Sequence, residues 1–175
     1  MIMSTKNLSE YKLEQLEIIN DVSIGIVVAD WNSEITAKLL QGTIDTLKSY
    51  GIHDEQIQVE TVPGSYELPL GAQMMVEYAE VDAVICLGAI IQGETRHFEF
   101  ISQAVSQGIN RVALDYTTPV IFGVLTPDNM EQAKDRSGGK HGNKGVEAAV
   151  SALKMLSLEY KLLNESLPED GDLQI

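Results

Sequence analysis

Gln92-Gly93-Glu94-Thr95-Arg96-His97 interrupts an otherwise apolar stretch and carries one of the three histidines in the chain. Residues 83–91 before it form an apolar run, and an apolar–polar pattern of helical spacing follows. The pattern predicts a buried strand, a glycine turn, and a helix whose first turn holds an imidazole. In open α/β sheets ligands gather beyond the carboxyl ends of parallel strands, where helix N-termini aim free N–H groups at anions. An imidazole there can give and take protons near neutrality. Gly93 lets a ligand approach the backbone. His97 is therefore the candidate catalytic residue. His53, in a polar turn, reads as a solvated turn residue, and His141 falls in a glycine loop. The three are too scattered for a metal site.

A second chemical feature is the run from Arg136 to Lys144, RSGGKHGNK, with cations Arg136, Lys140 and Lys144 around three glycines. Glycine-rich backbone with basic side chains suits phosphate, but the spacing is not that of a Walker loop. A plain exposed connection between helices accounts for it equally well. Trp31 and Tyr66 follow strand ends, where aromatics either cap a core or stack on a planar heterocycle. Phe122 lies inside a strand, and its default role is packing. Glu67 and Glu94 can accept hydrogen bonds from a ligand or merely favour a helix dipole.

The elements that must position these groups alternate in type. Strands are expected at 22–29, 57–62, 81–89 and 120–125. Helices are expected at 33–49 with Ser33 as cap, at 66–79 with Ser65 as cap, at 97–107, after Thr126-Pro127, and at 143–163. Alternation of this kind predicts a three-layer α/β/α sandwich around a central parallel four-stranded sheet. Right-handed crossovers then collect the turns at 30–32, 63–67, 92–97 and 126–127 on one edge, and those turns hold the unusual residues. Residues 1–20 read as an arm, 21–163 as one α/β domain, and 164–175 as an acidic tail.

The 175 residues carry 12 basic and 26 acidic side chains, a net charge of −14. Such a surface repels nucleic acid and anionic membranes, so an anionic substrate needs a local cationic site. The one cysteine, Cys86, falls mid-strand and reads as a small core hydrophobe. A polar first segment, MIMSTKNLSEYKLEQ, and apolar runs too short for a bilayer make a cytoplasmic protein the expectation.

Four segments in order, VPGSYELPL (62–70), GAIIQGETRHFEF (88–100), PVIFGVLT (119–126) and RSGGKHGNKGVEAA (136–149), resemble the lumazine synthase family of riboflavin biosynthesis. The likeness runs over about 22–158. It implies a flavodoxin-like sheet and condensation of 5-amino-6-ribitylaminouracil with 3,4-dihydroxy-2-butanone 4-phosphate. The products are 6,7-dimethyl-8-ribityllumazine, phosphate and water, and no cofactor is expected. By the same resemblance Trp31 stacks on the pyrimidine, while Ser65 and Glu67 hold the ribityl chain with Tyr66 beside them. Ala89, Ile90 and Ile91 line the heterocycle pocket. Gly93, Glu94 and Thr95 form the turn beside the phosphate, which Arg136 pairs. His97 matches the proton-transfer histidine, and Phe122 and Lys144 match pocket residues of an adjacent subunit.

The resemblance further implies a homo-oligomer, either a five-membered ring or a shell of twelve rings, with riboflavin synthase as a possible partner. Two positions depart from the family pattern. Asp30, before Trp31, stands where the family often carries a basic or small residue, and Gln92, before Gly93, where it often carries arginine; loss of nearby positive charge is expected to weaken phosphate affinity. Two other readings compete: a non-catalytic flavin or lumazine carrier, disfavoured by His97, Arg136 and Lys144, and a receiver-type signalling domain. The latter wants an aspartate ending the central strand, where Gly88-Ala89 stands.

Overall fold

The computed structural model describes residues 21–165; the expected arm and residues 166–175 of the expected tail lie outside them. Four strands, β1 (Ile24–Ala29), β2 (Ile57–Val62), β3 (Ala83–Ala89) and β4 (Val120–Leu125), form a parallel sheet of order β2-β1-β3-β4. This is the flavodoxin-like order without its fifth strand. Around it lie α1 (Ser33–Ser49), α2 (Leu68–Tyr78), α3 (His97–Tyr116), α4 (Met130–Asp135) and α5 (Lys144–Glu165). A two-stranded hairpin, β5 (Ser137–Gly139) and β6 (Gly142–Asn143), links α4 to α5. Gly138 (φ 117°) and Gly142 (φ 79°) supply the left-handed backbone that lets it fold back.

The central strands β1 and β3 are buried along their whole length, as strands covered on both faces must be. Their side chains alternate between two cores. Ile24, Ile26, Val28, Ile85 and Leu87 pack with α1 and α5 residues such as Leu39, Leu47, Ala149 and Leu153. Val27, Val84 and Cys86 face the other way, onto Leu68, Met75, Val105 and Ile109. Cys86 is a core hydrophobe, with burial pushing its thiol up to about 12.

Four local expectations need correction. Ser33 does not cap α1; Asn32 stands at the N-cap in the left-handed region (φ 61°), its side chain engaged elsewhere. Ser65 does not open α2 directly, because a 3₁₀ turn (Ser65–Glu67) comes first, with Glu67 accepting from the Gly64 N–H at 3.0 Å. The third helix runs past Gln107 to Tyr116. Gly108 does not stop it: a Cβ there would lie 2.7 Å from Pro69 Cγ, so the glycine serves close packing of α3 on α2. Thr126-Pro127 does not open a helix either. Asn129 caps α4 by accepting from the Gln132 N–H at 3.0 Å, and Pro127 continues the sheet edge.

Candidate active site

Backbone pairing runs on past the carboxyl ends of the strands. Asp30 N–H donates to Val62 O (2.8 Å) and Trp31 N–H to Pro63 O (3.1 Å). On the other half of the sheet, Ile90 N–H donates to Leu125 O (2.8 Å) and Gln92 N–H to Pro127 O (3.0 Å). Asn32 Nδ2 bridges the halves by donating to Ala89 O at 2.8 Å. Asp30 and Gln92 thus spend their backbones on this edge and leave their side chains exposed.

On this floor stands the first group of candidate residues. The Trp31 indole lies against Gly64, where an added Cβ would be 2.8 Å from Cε3 and 3.3 Å from Glu67 Oε2. Trp31 and Tyr66 are nevertheless 68% and 58% exposed. Large aromatic faces left open at a strand-end edge are suited to a planar ligand or a neighbouring chain. Ser65 is buried, its hydroxyl turned onto the Gly88 backbone. Beyond Ala89, buried Ile90 joins the α2/α3 core while half-buried Ile91 packs against the α1/α5 core. One isoleucine therefore supports each side of the strand end.

Gly93, Glu94, Thr95 and His97 are exposed, with the His97 N–H donating to Thr95 Oγ1 at 3.4 Å as α3 begins. Arg96 is turned aside: it pairs with Glu99 at 3.3 Å and lies 5.6 Å over the Phe100 ring. The imidazole is left open to solvent at the same edge as Trp31.

The second group lies beyond β4. Here a cavity of about 280 Å³ is lined by Leu125, Thr126, Gln132, Arg136 and Lys144, among others. Arg136 Nη1 donates to the His141 carbonyl, and Nη2 to Glu147 Oε1 at 2.7 Å. Lys144 Nζ reaches the other carboxylate oxygen of Glu147 at 3.1 Å. Glu147 itself is only 5% exposed. One buried carboxylate so orients two cations and leaves a surplus positive charge at the cavity, which is what an anion site in a −14 chain requires. Lys140 is not part of this group; it pairs with Asp135 at 2.9 Å, whose carboxylate holds its ammonium above the ordinary lysine value. Phe122 is half-buried against the α2/α3 core.

The two groups meet through the backbone, Gln92 pairing with Pro127 at the cavity wall, but not through their side chains. Among the described residues no hydrogen bond or ion pair joins His97 to Arg136. Sequence reasoning passed over Asn32, Gln132 and Glu147. Only the last carried a usable signal, an acid one helical turn after Lys144 in an otherwise apolar helix start. Among the described residues no cluster of histidine, cysteine or carboxylate side chains could hold a metal ion. None of the helices there is long and apolar enough to cross a membrane.

Comparison with known proteins points the same way as this edge. Residues 21–160 match the family model of 6,7-dimethyl-8-ribityllumazine synthase. A 6,7-dimethyl-8-ribityllumazine synthase of Cytophaga hutchinsonii is 57% identical over 157 residues, covering 90% of this chain and 98% of the relative. Enzymes of the same name from Porphyromonas gingivalis (50% over 159 residues, 91% and 99% covered) and Parabacteroides distasonis (48% over 157 residues, 90% and 98% covered) are similar over the same span. With the family model and relatives in agreement over most of its length, the chain belongs to the 6,7-dimethyl-8-ribityllumazine synthase family.

Proposed function

We propose that this protein condenses 5-amino-6-ribitylaminouracil with 3,4-dihydroxy-2-butanone 4-phosphate, releasing phosphate, water and 6,7-dimethyl-8-ribityllumazine. The observation that carries the reading is the Trp31–Gly64–Glu67 group beside Ser65 and Gly88, on the same sheet edge that presents His97. Trp31 stacks on the pyrimidine, Ser65 and Glu67 bind the ribityl hydroxyls beside Tyr66, and Ala89, Ile90 and Ile91 form the apolar wall. The turn Gly93-Glu94-Thr95 receives the phosphate end together with Arg136.

The aromatic amine attacks the ketone carbon and its oxygen leaves as water. The carbon–oxygen bond to phosphate then breaks, with the electron pair departing on phosphate. Tautomerisation and attack of the second nitrogen close the ring and expel water again. Each step moves protons that His97 can shuttle, and Arg136 stabilises the charge growing on the leaving phosphate. No step changes the overall oxidation state, so these residues need no redox cofactor. Holding two substrates face to face supplies much of the acceleration.

By the family resemblance the working site is built between copies, and among the described residues no hydrogen bond or ion pair joins His97 to Arg136. Glu147 ties Arg136 to Lys144, so both cations reach the same neighbouring site, with Phe122 on the strand beside them. A ring of copies satisfies this, in the cytoplasm. Mixing the two substrates with purified protein and following lumazine fluorescence tests the activity; absence of product would reject it. Sedimentation tests the assembly, and a fully active monomer would reject the shared site.

A further inference from the structure

The anion site beyond β4 already contains an anion. Glu147 is 5% exposed, and its two carboxylate oxygens are taken by Arg136 (2.7 Å) and Lys144 (3.1 Å). A buried carboxylate that loses its only partner is heavily penalised, but this one has two. It can release Arg136 and still keep Lys144. Arg136 in turn is a third exposed, lines the 280 Å³ cavity, and is anchored by a separate Nη1 donation to the His141 carbonyl. That donation can act as a pivot while Nη2 changes partner.

We propose that Glu147 is an internal stand-in for phosphate. It holds Arg136 in the empty site, gives it up to the incoming phosphoester, and reclaims it as inorganic phosphate leaves. The inference rests on the assignment of a phosphorylated substrate to this site. Displacing Glu147 costs the ester and free phosphate alike, but free phosphate brings no organic remainder to offset it and so leaves more readily. A strong cation pair with no competitor would retain the phosphate that each turnover produces. Glu147 thus sets release as well as geometry.

Inorganic phosphate binding to the full chain, measured by calorimetry in wild type and Glu147→Gln, tests the exchange. Glutamine keeps the volume and an acceptor for Lys144 while removing the competing charge. Phosphate should bind at least about tenfold tighter to the variant, the scale of one removed charge interaction near a protein surface. Turnover should fall while inhibition by phosphate deepens. Damage to the site would weaken binding, so a gain cannot arise from misfolding. Unchanged or weaker phosphate affinity in the folded variant would overturn the proposal. Should Glu147→Gln not fold, crystals of wild type in phosphate decide the matter. Arg136 turned from Glu147 onto the ion supports exchange, and an intact Arg136–Glu147 contact beside bound phosphate overturns it. Absence of lumazine formation in wild type, with phosphate binding still tightened by Glu147→Gln, would remove the assigned reaction and leave the exchange standing.

Discussion

Ser65 Oγ occupies the space in which Gly88 would carry a side chain, 2.5 Å from the position of a Cβ. The Leu68 Cδ1 atom, at 3.0 Å from that position, closes the other side. A residue at the end of β3 thereby sets where the Ser65 hydroxyl points. Gly88→Ala should push Ser65 aside, costing about 1–3 kcal/mol of stability. It should also raise KM for the ribitylaminouracil more than KM for the butanone phosphate. Steady-state kinetics with each substrate varied in turn check this; equal effects on both constants would separate Ser65 from the ribityl chain.

His97→Ala should reduce kcat by about 10²-fold or more, the usual share of a general acid–base group, with little change in either KM. Single-turnover measurement isolates the chemical step. A near-normal rate there would take the imidazole out of the reaction.

Gly145 tests the scaffold rather than the chemistry. A Cβ at this first turn of α5 would fall 2.0 Å from the Leu39 carbonyl oxygen and 2.7 Å from Thr43 Oγ1. That hydroxyl donates to both Leu39 O and Gly145 O, at 2.9 and 3.1 Å. Gly145→Ala must separate α1 from α5, at a cost of about 3 kcal/mol or more. Thermal unfolding should show a clear fall in Tm. Because Lys144 and Glu147 flank the position, phosphate affinity should fall with it.

Tyr116 and Glu77 form a clasp between the C-terminal ends of α3 and α2, the hydroxyl donating to the carboxylate with Gln73 beside them. Donation from Tyr116, then from Gln73, holds Glu77 below the ordinary carboxylate value. The same carboxylate raises Tyr116 above the ordinary phenol value. A lowered acid contributes stability above its unfolded value near 4.5 and loses it as pH falls. A raised phenol contributes below its unfolded value near 10.0 and loses that as pH climbs past it. Tyr116→Phe should therefore lower Tm modestly at pH 7, with the deficit shrinking towards both pH 3.5 and pH 11 (about one unit outside each value). A deficit independent of pH would mean that packing, not the hydroxyl, is lost.

Much of the architecture is legible in the residues because the two central strands are apolar throughout, and only strands buried on both faces read so. The turns at Trp31, Ser65–Glu67 and Gly93 to His97 stand out because their residue types are wasteful for mere connection. What stays hidden depends on the third dimension. Asn32 reads as a turn residue before the expected Ser33 cap, yet its amide is spent on Ala89 across the sheet. The third helix reads as ending near Gln107, and only the fold shows that Gly108 lies inside it, where close packing on Pro69 leaves no room for a side chain. Thr126-Pro127 fits a helix start equally with an extended edge, since proline's backbone angle suits both. Glu147 resembles any first-turn acid until the fold sets Arg136 beside it.

The pairing that continues beyond the strands, from Asp30–Val62 to Gln92–Pro127, makes this edge tolerant of side-chain replacement. Its cavity floor is main chain, held in register by the sheet itself. Substitution of the Asp30 or Gln92 side chain leaves this pairing intact, because only main-chain atoms make it.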